Sequence, residues 1–461
     1  MEQLPSSVVP RSVVESVRML RDREVSSEEL TRIYLDRIER VDGDLGAFVA
    51  RFEEECLAAA RDADVALAAG ERGRLLLGVP MAIKDIIATR EAETRCNSDV
   101  RNPPWTARRD SAVVTRLRRA GAVILGKLTT NEYALGGPDP TKAFPIPHNP
   151  WNLHRTAGGS SSGSGVAVAA GLCAAALGTD TGGSIRLPAA FNGVTGMVPT
   201  FGIVPSDGLV PLAWSMDRVG PMARTAEDCA VVFAALAGRT PASRLSDAIG
   251  QPDLTGIRLA IVREPLAVPG ADLASADVLD AAEQVLADLG AEAVTRELPL
   301  YAETAAAAKL TLFGEAFDVH RELLAAHWRR YGSETRLALV RGAFVSSADY
   351  MRAQRVRTVA TQAMTRIFAD VDLIVMPTAT IGAPERAGFA EPGILEHVHT
   401  FYWSATGYPV VALPAGFTAD GLPLGLQFVA RAGADDRLLM MSQTFQSVTD
   451  HHLRVPAVVA S

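Results

Sequence analysis

Cysteine is scarce. Four occur in 461 residues, Cys56, Cys96, Cys173 and Cys229, and no two form a CxxC pair. That excludes a disulfide scaffold and a zinc knot, so the chain reads as made for a reducing, cytoplasmic compartment. Long apolar runs are missing as well. The longest, Val166 to Leu177, is interrupted by Gly171 and is too short to span a bilayer. The opening Met1-Glu2-Gln3-Leu4-Pro5 has neither the basic nor the apolar part of a signal peptide. Positive charge is not in excess. With 45 Lys and Arg against 53 Asp and Glu, the net charge is −8, which argues against a broad nucleic-acid face. What remains is 48% hydrophobic and 21% charged, an ordinary globular composition that excludes disorder.

The first 70 residues or so read as helices. Ser26-Ser27-Glu28-Glu29 has capping-box spacing, and Leu30, Ile33, Tyr34 and Ile38 follow at helical intervals. A second helical pattern covers about residues 47 to 69. Val79 to Ile87 is a short apolar stretch carrying Lys84, which reads as a strand. Ser111 to Ala120 is amphipathic and Ala122 to Leu125 is strand-like, an α/β alternation. Thr225 and Gly238 bracket a further helix. Between about 240 and 370 the pattern is mostly helical, with a strand at Gly256 to Val262. Leu373 to Met376 is again strand-like, and Asp420-Gly421 separates two apolar strands as a hairpin turn does. No break in composition divides the 461 residues, so one large α/β domain is expected. Asp139, Asp420 and the pair Asp435-Asp436 read as turn or surface acids.

The densest cluster of small residues is Gly158-Gly159-Ser160-Ser161-Ser162-Gly163-Ser164-Gly165. A P-loop needs a lysine after its glycines, and a dinucleotide fingerprint from Gly163 needs a glycine where Val168 stands; both fail. Gly159 to Gly163 does match a GxSxG elbow with Ser161 as nucleophile. No convincing strand precedes it, and His320, His327, His451 and His452 give no clear partner. A fourth mechanism joins Lys84, the Ser160-Ser161 pair and Gly178-Thr179-Asp180-Thr181-Gly182-Gly183-Ser184-Ile185-Arg186-Leu187-Pro188. A lysine sealed in a strand loses hydration, so its pKa falls from about 10.4 toward neutrality. A fall of about three units costs roughly 4 kcal/mol, a strain that a functional site justifies. Neutral lysine then serves as general base without histidine, and the glycines before Ser184 leave amides free to meet an oxyanion. Taken singly, Lys84 is a strand-end lysine and Gly182-Gly183-Ser184 a turn; their combination carries the reading.

These segments resemble the amidase signature family. Gly158 to Thr200 is similar to its GGSS-type run, DTGGSIR-type turn and closing GLKPT-type segment. Gly78 to Asp85 resembles the strand bearing its lysine, and Ser160 and Ser184 stand 24 positions apart, as in the family. Further similarity lies at Gly126 to Tyr133, Asp217 to Thr225, and Tyr408-Pro409 to Gln427. Val198 replaces the lysine of GLKPT, and Ser162 replaces a common glycine.

The resemblance implies a large mixed central β-sheet with helices on both faces. It also implies one domain over 1–461: a helical part to about 70, the signature core at about 78–238, a divergent helical region at about 240–370, and strands returning from about 371. It implies a Ser-Ser-Lys triad of nucleophile Ser184, relay Ser160 (entered through a cis peptide after Gly159) and base Lys84. Amides of Thr181, Gly182, Gly183 and Ser184 form the oxyanion hole, with Ser161, Asp180 and Arg186 as supporting network. No metal or organic cofactor is implied, and a homodimer is.

The chemistry expected is hydrolysis of a small carboxamide through an acyl-enzyme, releasing ammonia or an amine. The alternatives are a glutaminase-type component of a tRNA-dependent amidotransferase, or attack on a related hydrazide, carbamate, urea-derived amide or ester. The glutaminase role requires partner chains and a residue to pair the glutamine α-carboxylate, for which several arginines between 320 and 360 are candidates. Tyr133, Phe401 and Trp403 are candidates for an acyl pocket, with core packing as the competing reading. His397 and His399 offer two metal ligands without a third.

Overall fold

The computed structural model describes residues 12–102, 108–239, 252–386 and 393–460; Met1 to Pro5 lies outside them. Eleven strands form one sheet: β1 (Phe48–Arg51), β2 (Pro80–Lys84), β3 (Val123–Leu128), β4 (Ala175–Asp180), β5 (Thr195–Val198), β6 (Arg218–Ala223), β7 (Arg258–Ile261), β8 (Glu292–Thr295), β9 (Leu373–Pro377), β10 (Val410–Phe417) and β11 (Pro423–Val429). Their order across the sheet is β1-β3-β2-β4-β6-β5-β10-β11-β9-β7-β8. It is mixed: β2 runs parallel to both β3 and β4, whereas β4, β6, β5, β10 and β11 are joined antiparallel. Every residue of β2, β3, β4 and β6 is buried, so the sheet is covered on both faces at its centre.

Helices pack on the sheet where the patterns place them. Ser26 caps the Ser27–Leu45 helix with a complete capping box, and Thr225 does the same for Ala226–Ala237. The Asp420-Gly421 turn joins β10 and β11 as a hairpin. Two expectations need correction. The helix expected over 47–69 begins only at Glu53: Phe48 to Arg51 is instead β1, paired with β3, and Glu53, Glu54 and Glu55 then occupy the first helical turn, where the macrodipole favours acids. Asp435 is no surface acid. It is fully buried and its carboxylate takes the Thr200 amide and hydroxyl at 2.8 and 2.6 Å. All four cysteines are buried free thiols, and among the described residues no helix is long and apolar enough to cross a membrane.

Candidate active site

β2 ends on Lys84, whose ammonium is fully buried. The Nζ lies 2.8 Å from Ser160 Oγ, 2.9 Å from Ser161 Oγ and 2.8 Å from Thr179 Oγ1. Three hydroxyls surround it, and among the described residues no carboxylate pairs with it. Burial disfavours the charged form and brings the pKa down to about 7, against the upward pull of Asp180 and Asp217.

The hydroxyls are not equivalent. Ser161 Oγ accepts from the Thr179 amide at 3.2 Å and donates to the Thr179 carbonyl at 3.1 Å. Its single proton is therefore engaged, and it can only accept from Lys84. Neutral Lys84 needs one donor for its lone pair, which leaves the hydroxyls of Ser160 and Thr179. Ser160 follows the cis Gly159–Ser160 peptide, and its carbonyl is held by Thr130 Oγ1 at 2.9 Å and the Asn131 amide at 3.3 Å.

Ser184 is brought alongside by a bond from the Ser161 amide to its carbonyl, 3.1 Å. Its side chain is half-buried, and its hydroxyl has no hydrogen bond among the described residues. The turn before it is tied down from several sides. Asp180 Oδ1 takes the Gly183 amide at 2.9 Å and Arg186 Nη2 at 2.8 Å; Oδ2 takes the Ile185 amide and Arg186 Nε at 3.1 and 3.0 Å. Burial pushes this carboxyl up, but the Arg186 charge and hydrogen bonds outweigh it and the pKa falls to about 2. Arg186, itself fully buried, also donates to the Thr400 carbonyl, Gln427 Oε1 and Ser404 Oγ. The ion pair is thus satisfied on all sides, the condition under which a buried pair is tolerated.

Gly183 has φ +134°, and a Cβ there would stand 2.2 Å from Thr400 Oγ1, so only glycine fits. Thr181 Oγ1 donates to Asp217 Oδ1 at 2.6 Å. Asp217 also takes the Leu212 and Ala213 amides, and burial raises its pKa to about 6. Of the four amides the resemblance assigns to an oxyanion hole, that of Gly183 is engaged by Asp180. Those of Thr181, Gly182 and Ser184 have no acceptor among the described residues. Beside a partly open hydroxyl and a buried amine that burial brings toward the neutral form, such donors suit attack on a carbonyl carbon.

The expected pocket aromatics separate. Tyr133 and Trp403 are buried to 0% exposure. Tyr133 donates to the Val100 carbonyl and packs against His320, and Trp403 Nε1 points at Met376 Sδ; core packing accounts for both. Phe401 is half-buried and its ring edge lies on Gly182, where a Cβ would come within 2.6 Å of Cε1. His397 and His399 both approach Thr380 Oγ1, and His399 Nδ1 meets the Tyr301 hydroxyl. Among the described residues no three metal-ligating side chains converge. Val198, standing in place of a lysine, is buried in β5. Ser162 is also buried, with its hydroxyl unpartnered.

Thr179, Asp217, Thr400 and Gln427 are site residues that sequence reasoning did not single out. Three of them, Thr179, Asp217 and Gln427, lie inside the segments quoted for the resemblance; Thr400 lies in none.

This is the site and fold of an amide hydrolase. Residues 29–439 match the Amidase family, and the chain belongs to it. Among curated relatives, a glutamyl-tRNA(Gln) amidotransferase chain of Roseiflexus castenholzii (strain DSM 13941 / HLO8) is 39% identical, over 97% of each chain. Among solved structures, one described as a vestigial protein complex that reveals the evolutionary origins of an s-triazine catabolic enzyme superposes with a TM-score of 0.85. It is 31% identical, over 95% of this chain and 98% of that one. The native peptide amidase of Stenotrophomonas maltophilia gives 0.84 at 28% identity, over 98% and 99%.

Proposed function

We propose that this chain hydrolyses a carboxamide through an acyl-enzyme on Ser184, with Ser160 and Lys84 moving the proton. The observation that carries the proposal is the Lys84 amine, buried among three hydroxyls with no counter-ion among the described residues. Ser184 Oγ attacks the carbonyl carbon and passes its proton to Ser160, whose own proton goes to Lys84. The oxyanion that forms meets the unengaged amides of Thr181, Gly182 and Ser184. When the C–N bond breaks, the proton returns from Lys84 through Ser160 to the leaving nitrogen, which departs as ammonia or an amine. Water then attacks the ester and loses a proton by the same route. The carboxylic acid leaves and Ser184 is restored. Residues 1–461 act as one catalytic domain.

Between the two roles such a site can fill, the glutamine-hydrolysing component of an amidotransferase is the better supported. The curated relatives named for that amidotransferase are 35% to 39% identical over nearly the whole chain. That role brings partner chains with it. The likeness to the peptide amidase favours a second reading, a stand-alone amidase of a small carboxamide. Hydrazides, carbamates, urea-derived amides and esters are open to the same attack.

The test is product release by the purified chain from glutamine and from a panel of primary amides, anilides, hydrazides and esters, with Ser184→Ala beside it. Ammonia from glutamine alone, faster once the partner chains are added, is the expected result. Turnover of simple amides without partners selects the second reading. Retention of more than a few per cent of turnover in Ser184→Ala removes Ser184 as nucleophile.

A further inference from the structure

From Gly208 to Ala223 every residue is buried except Trp214 and Ser215, and Trp214 is 65% exposed. The two form the tip of a turn closed by the Ala213 carbonyl, which accepts the Met216 and Asp217 amides at 2.9 and 2.8 Å. Ser215 is pinned. Its amide and hydroxyl donate to the Glu315 carboxylate at 3.0 and 2.7 Å, and Arg357 donates to its carbonyl and hydroxyl at 3.0 and 2.8 Å. Arg357, one of the arginines offered by the sequence between 320 and 360, also donates to the Ala405 carbonyl of the Phe401–Thr406 helix.

The same turn is tied to the reacting centre. One carboxylate oxygen, Asp217 Oδ1, takes the Thr181 hydroxyl at 2.6 Å and the Ala213 amide at 3.1 Å. The turn whose amides face the reacting carbonyl and the base of the Trp214 turn therefore share one anchor. Phe401 sets a second, half-buried ring against Gly182 of the former.

Other described tryptophans are engaged within the protein. Trp151 Nε1 donates to the Asn192 carbonyl, Trp403 Nε1 points at Met376 Sδ, and the Arg336 guanidinium lies 5.5 Å from the Trp328 ring centroid. Trp214 has no hydrogen bond, ring contact or cation among the described residues. Holding an indole in water forgoes the transfer free energy of a large apolar surface, and here a rigid turn holds it there. A stiff, uncovered aromatic face beside a carbonyl-binding turn is a receptor for another ring.

We propose a further activity: the site hydrolyses carboxamides that carry an aromatic ring, and Trp214 is the specificity-determining residue that selects them. The carboxamide carbonyl lies at the Thr181 to Ser184 turn and the substrate ring meets the Trp214 indole. The proposal rests on amide hydrolysis at Ser184 and adds a substrate class to it.

The experiment measures kcat/KM of the full-length enzyme on two pairs of amides. 3-Phenylpropanamide against propanamide puts the ring on the acyl side; N-benzylpropanamide against N-methylpropanamide puts it on the leaving amine. Wild type is expected to prefer the ring-bearing member of one pair. Trp214→Ala, with an unchanged circular dichroism spectrum, is expected to lower that preference by about tenfold, through KM, and Trp214→Phe to keep most of it. The pair that responds names the side of the amide that the indole meets. Preferences that Trp214→Ala leaves unchanged in both pairs overturn the proposal.

Calorimetric binding of the same four amides to the Ser184→Ala protein needs no turnover and separates this proposal from the catalytic reading. Tighter binding of a ring-bearing amide, lost when Trp214→Ala is added, upholds the indole even if the intact enzyme hydrolyses no amide and the catalytic reading falls. Equal binding within both pairs overturns the indole and leaves the catalytic reading standing.

Discussion

Lys84 closes β2 and Lys127 lies in β3, the strand beside it, and both side chains are sealed from water at 0% and 1% exposure. Their partners differ in kind. Lys127 Nζ lies 3.1 Å from the Asp85 carboxylate and donates to the Ile87 carbonyl and Thr94 Oγ1 at 2.6 and 3.1 Å. Asp85 in turn takes the Arg95 and Cys96 amides, and burial raises its pKa while Lys127 pulls it back. Lys84, with hydroxyls only, drops to about 7. Burial is common to both lysines; what separates them is whether a carboxylate lies against the amine. One sheet thus holds, on adjacent strands, a lysine paired with a carboxylate and a lysine met by hydroxyls alone.

The comparison breaks most visibly at Lys84. Lys84→Met is expected to lower kcat by about 10³-fold or more, with circular dichroism showing the sheet intact. In the wild type, kcat is expected to rise with pH through about 7, because a lysine depressed to that value is a neutral base only above it; the limb is expected to be absent from whatever activity Lys84→Met retains. A flat wild-type profile across that range removes Lys84 as base.

Lys127→Met moves the other observable. It strands the buried Asp85 carboxylate and is expected to cost about 3–5 kcal/mol in urea unfolding, with kcat per folded molecule within a few-fold of wild type. With its cation gone, Asp85 has a folded pKa raised still further, so the folded state binds the extra proton. The loss is therefore full above the raised folded pKa of Asp85 and shrinks as pH falls from there toward the ordinary carboxylate value. A catalytic collapse in this variant, with stability kept, erases the distinction between the lysines.

The smallest effect sharpens the electrostatics. Asp217→Asn removes a negative charge that favours the Lys84 ammonium and weakens the anchor on Thr181. The kcat limb is expected to move to lower pH and the plateau to fall by about tenfold. A limb that stays in place while the plateau falls assigns Asp217 to anchoring alone.

How much of this was legible in the sequence follows from contact range. The Asp180–Arg186 pair closes over six positions, and Lys84, Ser160 and Ser184 lie in segments whose composition is odd enough to read. Thr400, Ser404 and Gln427 reach Arg186 from more than 200 positions away, and no local pattern announces them. Tyr133 and Trp403 were named for their ring type, yet an aromatic ring serves a core as well as a pocket, and only burial separates the two. At β1 the pairing with β3 prevailed over a helical pattern. The role of Asp435 depends on Thr200, 235 positions away.

The four buried thiols carry a practical consequence. Burial pushes Cys56 up to about 12 and raises Cys96, Cys173 and Cys229 as well, so none is a thiolate at neutral pH and all are shielded from alkylating reagents. The native chain is therefore close to silent in maleimide chemistry. A cysteine introduced at the surface becomes a single address for a fluorophore or spin label. The slow trapping of the native four then times the openings of the regions that enclose them.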